Sequence, residues 1–150
     1  MHPDMQYRKT KKLFSKIPNP NLVKDGQTPL GAAIFFRKLG VAKALIEDPD
    51  IDVNLTHQGK APPLHVAVQS FLSLKARHPK IIQKHASLIL QPLKKGADIY
   101  AKNTADQTVV QYAASQYATS QGKSPAAKWL LTVFKERIIK KKASIPDEKS

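Results

Sequence analysis

A chain of 150 residues with 41% apolar side chains is long enough for one packed domain and too apolar for a disordered tail. It has no cysteine, which excludes disulfide scaffolds and Cys-based zinc sites and fits a reducing compartment such as the cytoplasm. Its formal charge of +14 favours anionic partners, whether nucleic acid, anionic lipid or an acidic protein surface, without choosing among them.

At the N-terminus, Arg8, Lys9, Lys11 and Lys12 are followed by no apolar stretch, and no later run reaches the ~18 apolar residues that a membrane span needs. Residues 1–9 stand as a basic segment, and a soluble chain without a Sec-type leader is expected. Lys11 to Ile17, followed by Pro18-Asn19-Pro20-Asn21, reads as a short helix and its exit loop. Its lysines would give the end of a stack a polar outer face.

The run Gly26-Gln27-Thr28-Pro29-Leu30-Gly31-Ala32-Ala33 opens a helix. A threonine hydroxyl can accept from the orphan N–H groups of the first turn, and proline at the first helical position gives up an N–H that had no partner. The opening recurs as Ala61-Pro62-Pro63-Leu64-His65-Val66-Ala67 and as Asp106-Gln107-Thr108-Val109-Val110-Gln111-Tyr112-Ala113-Ala114, where Thr108 and Gln111 have capping-box spacing. Ala32, Ala33, Ala113 and Ala114 are small residues where neighbouring helices would approach closely. Asp52-Val53-Asn54 closes the first unit, and Gly96-Ala97-Asp98-Ile99-Tyr100-Ala101-Lys102-Asn103 closes the second.

Spacing singles out the middle unit: Leu30 and Leu64 are 34 residues apart, Leu64 and Val110 46. The insertion lies between the opening and the close, so both helices of that unit are expected to run longer by about a turn and a half. Pro79 marks the turn between them. The second helix reads Lys80 to Leu93, with Ile82, Ala86, Ile89 and Leu93 inward and Lys80, Lys84, Ser87 and Gln91 outward. Pro92 should kink or end its last turn. The third unit is also lengthened, with Gln121 to Pro125 as its turn and Ala126 to Lys142 as a final helix, leaving 143–150 as a disordered tail.

These alternating openings and closes resemble the ankyrin repeat, whose signature is a T-P-L-H-x-A opening and a G-A-D-V-N close around two antiparallel helices. The resemblance covers roughly residues 19–137. It implies an all-α solenoid of helix pairs joined by short loops, of about three and a half repeats. Within a domain of 10–142 these are a partial capping repeat 10–21, a repeat 22–55, a long repeat 56–102 and a C-terminal repeat 103–142. The units depart from the family: Pro62 replaces the capping threonine, Val109 replaces the proline, and only His65 fills the family's histidine position, which implies a scaffold hydrogen bond there.

The resemblance also implies where a partner would bind, at the loop tips and on the exposed groove face of the first helix of each pair. The matching tips are Lys24, Gln27, Gln58, Lys60, Thr104 and Gln107; the matching groove positions are Phe35, Phe36, Gln69, Ser70, Ser115 and Gln116. Phe35 and Phe36 stand where the family usually carries polar residues. They are anchors for a partner if exposed, or core if Phe71, Leu72 and Leu74 of the next unit cover them.

Signatures of catalysis are missing from the sequence: it has no phosphate-binding glycine loop, no H-E-x-x-H and no nucleophile elbow. His57, His65, His78 and His85 have no acidic neighbour in sequence to orient an imidazole. A metal site from His57, His78 and His85 would need all three within ~2.1 Å of one ion and is not expected, nor is any cofactor. Trp129, Leu130, Val133, Phe134 and Ile138 could form a membrane-binding face, but packing against the preceding helix explains them; Ile139 beside Lys140, Lys141 and Lys142 is where apolar area would stay uncovered.

The function expected is a non-catalytic protein-interaction module, its partner having an acidic or mixed surface. The alternative is binding of a polyanion, nucleic acid or anionic lipid, through both basic ends and the acid-free stretch after Val53, which holds Lys60, Lys75, Arg77, Lys80, Lys84, Lys94 and Lys95. A need for solubility explains those lysines equally well. A small, basic, degenerate ankyrin protein also resembles the effectors that intracellular bacteria deliver into host cells, and the tail Lys140 to Ser150 is similar in composition to C-terminal translocation signals.

Overall fold

The computed structural model describes residues 19–56, 59–75 and 78–144. Among them are six α-helices and no β-strand: α1 (Pro29–Phe35), α2 (Leu39–Glu47), α3 (Pro63–Leu72), α4 (Pro79–Lys94), α5 (Val109–Thr119) and α6 (Pro125–Ser144). The chain divides into two compact units, Met1–Asp98, which holds α1 to α4, and Ile99–Ser150, which holds α5 and α6. The capping helix expected over Lys11 to Ile17 and the basic segment 1–9 lie outside the described residues.

Helix starts follow the chemistry of their first residues. Thr28 Oγ1 accepts from Gly31 N at 3.1 Å with Pro29 in the first turn. At α5, Gln111 N donates to Thr108 Oγ1 at 3.2 Å while Thr108 N donates back to Gln111 Oε1 at 2.9 Å, a complete capping box. Ser124 plays the same part for α6, accepting from Ala127 N at 3.1 Å. Pro62 has no side chain to offer, and α3 begins without a side-chain cap. For α4 the cap is His78, whose Nδ1 accepts from Lys80 N at 3.2 Å.

The inserted residues of the middle unit go mainly into α4, which has 16 residues against 9 in α2; α3 has 10 against 7 in α1. The burial of α4 corrects the expected face. His85, Leu88, Ile89, Pro92 and Leu93 are buried, whereas Ile82 is 36% exposed and Ala86 only half-buried. Because α4 packs against both α2 and α3, its apolar stripe turns to include Leu88, and its first turn runs beyond what covers it. Pro92 does not end the helix; it sits buried in the last turn, which continues to Lys94. At the other end of the chain, Ala143 and Ser144 belong to α6 rather than to a disordered tail, since the Lys140–Ala143 run consists of strong helix formers and its cations suit a helix C-terminus. Residues 145–150 lie outside the described residues.

Leu30, Ile34, Leu45, Ile46, Leu64, Val68 and Phe71 form the core of the first unit together with the buried side of α4. Ala33, Ala42 and Ala67 are buried among them, and a larger side chain at any of the three would overpack the contact, at a cost of about 1–3 kcal/mol. In the second unit Val109 and Ala113 of α5 meet Ala127, Leu130 and Phe134 of α6, all fully buried. That packing, not a membrane face, accounts for Leu130 and Phe134. Ala114, by contrast, is exposed.

Loops of the first unit repeat their bonding as well as their sequence. Asn21 Oδ1 accepts from Asp52 N at 2.7 Å, and its Nδ2 donates to Asp50 O at 2.8 Å. One unit on, Asn54 Oδ1 accepts from Asp98 N at 2.7 Å and its Nδ2 donates to Gly96 O at 3.2 Å. Each asparagine thus ties its own loop to the close of the helix pair that follows it. Two residues earlier, Asn19 and Asp52 hold the loop with the same turn, accepting from Asn21 N and Asn54 N at 2.9 Å.

Candidate interaction site

Between α1 and α3 lies a groove of about 220 Å³, lined by Gln27, Thr28, Gly31, Ala32, Phe35, Thr56, Lys60, Ala61, Val66 and Gln69. Its position follows from the helix starts. The tip before α1 is a tight turn, with Lys24 and Gln27 exchanging backbone hydrogen bonds at 2.9 and 3.0 Å around Asp25 and Gly26, both at positive φ. That turn aims Gln27 at the mouth of the groove. Gly31 and Ala32 leave the wall low, and Phe35, one turn further along α1, raises its far end.

Four of the residues singled out in sequence are therefore brought together: Gln27, Phe35, Lys60 and Gln69. Lys24 is exposed on the adjoining tip and Ser70 is half-buried, but neither lines the groove. Gln58 and His57 lie outside the described residues. In the second unit Thr104 and Ser115 are exposed, and Gln107 and Gln116 half-buried. Its tip is tied by Asn103 N donating to Gln107 O and by Asn103 Oδ1 accepting from Gln107 N, both at 2.9 Å.

Phe35 and Phe36 settle in favour of exposure, at 65% and 58%. They are not covered by the next unit, because α3 ends at Leu72 and turns Phe71 into its own core. The rings meet edge to face, with centroids 5.1 Å apart and planes at 89°. Sequence reading missed Thr56, Ala61 and Val66 in the groove wall, although Val66 lies one helical turn before Gln69 and so shares its face.

Chemically the groove suits binding. The Thr28 hydroxyl is committed to its cap, Lys60 is the single charged side chain among the described residues of the lining, and Gln27 and Gln69 offer amides that donate and accept. The histidines among the described residues stand elsewhere: His65 is buried in α3, His78 caps α4, and His85 is buried in α4. Burial lowers the His85 pKa below its ordinary value, and the Arg37 charge lowers it further. Among the described residues no three metal-ligating side chains converge, and no helix is long and apolar enough to cross a membrane.

A second depression, of about 380 Å³, lies between α2 and α4, where Lys43 and Lys84 face Glu47 over a floor of Leu39, Ile46 and Leu88. No protein-family model matches the chain, and no curated protein matches it.

Proposed function

We propose that the chain is a non-catalytic protein-binding module of the ankyrin type that grips a protein partner along the α1–α3 groove. One observation carries the reading: Gln27, Phe35, Lys60 and Gln69, each marked by its position in a repeat, line the same groove. The threonine caps of the first and third openings and the paired asparagine clamps support the repeat architecture. The partner's contact would be an apolar side chain set against Phe35 and Val66, with a carboxylate beside it for Lys60.

Photocross-linking tests this. With benzoylphenylalanine replacing Gln69, irradiation in cell extract should capture a discrete protein that the same probe at exposed Gln83 on α4 does not. Equal capture at both positions, or none from a folded protein, would sink the reading. Its ankyrin part fails if a crystal structure shows α5 and α6 not continuing the helix pairing of α1 to α4. Delivery into a host cell belongs to the same proposal through the composition of the tail; a truncation after Ile139 that leaves delivery unchanged removes it.

A further inference from the structure

The end of the first unit where α1 and α3 finish carries a second surface. Phe36 caps α1, Arg37 takes a φ of 56° so that the chain can reverse into α2, and the Arg37 guanidinium donates to Ser73 Oγ at 3.3 Å, in the turn that follows α3. That bond sets the two helix–helix turns side by side. Because α4 runs back from the second of them, its first residues belong to the same edge.

Six exposed side chains mark this edge: Phe36, Arg37 and Lys38 from the turn after α1, and Lys80, Ile81 and Ile82 from the first turn of α4. The two isoleucines, 42% and 36% exposed, extend the buried stripe of α4 by a turn that stays partly open to solvent. Carboxylates are absent between Asp25 and Glu47 and again between Asp52 and Asp98, so neither turn carries one. Apolar area beside cations on segments free of carboxylates is poorly matched to water and well matched to an interface that is apolar below and anionic above.

We propose that this edge docks on an anionic phospholipid surface, with Phe36, Ile81 and Ile82 entering the acyl boundary and Arg37, Lys38 and Lys80 meeting the headgroup anions. None of the six lines the α1–α3 groove, so the two surfaces stand or fall separately. Phospholipid is favoured over nucleic acid because the edge-to-face packing of Phe36 on Phe35 offers no flat platform for successive bases, and isoleucines have nothing to do against a phosphate backbone.

Co-sedimentation of the full chain with vesicles decides it. The protein should pellet with phosphatidylcholine vesicles containing about one-third phosphatidylserine, much less with phosphatidylcholine alone, and less as salt rises. Lys38→Ala and Lys80→Ala should each weaken binding about fivefold, and Phe36→Ser with Ile82→Ser about tenfold or more. Circular dichroism of each variant should match the parent. As a second measurement, Phe36→Trp should give an emission blue shift with the anionic vesicles, while the parent, whose one tryptophan is Trp129, should not. No pelleting, equal pelleting with neutral vesicles, or full binding by the edge variants would each overturn the proposal. Binding to a duplex oligonucleotide without binding to vesicles would overturn it in favour of nucleic acid.

Discussion

Gly31 and Thr28 make a sharp test of how the groove is built, because the space beside Gly31 is filled by the atom that caps its own helix. A Cβ at Gly31 would stand 2.8 Å from Thr28 Oγ1, closer than real contacts allow. The hydroxyl cannot swing away without releasing Gly31 N, which it holds at 3.1 Å. Gly31→Ala should therefore either forfeit the cap or crowd against it, a cost of about 1–2 kcal/mol, against a gain of about 0.5–1 kcal/mol from better helix propensity. The net is a loss of about 1 kcal/mol. Thr28→Ala loses the cap alone, again about 1 kcal/mol. In the double variant the crowding has vanished and the cap is lost only once, so stability should fall by less than about 0.5 kcal/mol. The coupling is then about 1.5–2 kcal/mol, well above the scatter of independent sites. Urea unfolding of the four proteins measures it, and additive single effects would show that Gly31 is not there for the close approach of Thr28.

Three further outcomes are expected. Phe134→Ala empties a fully buried site between α5 and α6 and should cost about 3–5 kcal/mol, read from the unfolding midpoint of Trp129 fluorescence; a cost below about 1 kcal/mol would mean the two helices do not pack as described. His85, whose pKa is lowered by burial and by Arg37, keeps its neutral form to lower pH in the folded protein than in the unfolded chain, which therefore binds more protons: stability is intact above about pH 6.5 and falls as pH drops towards the lowered folded value. His85→Leu should flatten unfolding midpoints across that window, and an unchanged slope would assign it to another group. Lys102 pairs with Asp106 at 3.3 Å, but the side chains are 55% and 83% exposed, so Lys102→Ala should change stability by less than about 0.5 kcal/mol.

Where bonding is local, the sequence was readable. Thr28-Pro29 and Thr108 with Gln111 declare their helix starts because the groups that cap are within three residues of what they cap, and the structure places those bonds accordingly. The rotation of α4 was not readable: Ile82, Ala86, Ile89 and Leu93 form as good a stripe as His85, Leu88, Ile89 and Pro92, and the choice between them is made by where α2 and α3 lie. The same holds for Phe35 and Phe36. Exposure depends on how far α3 reaches past them, and the length of α3 is fixed by an insertion whose residues could have gone to either helix. The groove was half legible for a related reason: spacing within a repeat marks Gln27, Phe35, Lys60 and Gln69, but the walls between them come from Thr56, Ala61 and Val66, which no motif distinguishes.

The asparagine clamps carry a consequence for the end of the series. Asn21 and Asn54 occupy matching places, each after a buried residue, Pro20 or Val53, and each holding one N–H and one C=O of the following close. At the third matching place, after buried Ile99, stands Tyr100, 53% exposed, with Lys141 Nζ 5.5 Å from its ring centre. A clamp is useful only where a further close follows it to be held. Asn54→Ala should therefore cost about 1–2 kcal/mol, since two hydrogen bonds go and water replaces only part of them at this exposed loop; Asn21→Ala should cost a similar amount. Tyr100→Asn should gain none of this back, because among the described residues no further close follows α6 for the new side chain to hold. Urea unfolding of the three variants separates the cases. If Tyr100→Asn stabilises by as much as Asn54→Ala destabilises, the asparagine acts within its own loop and the clamp between successive closes is not what holds the unit together.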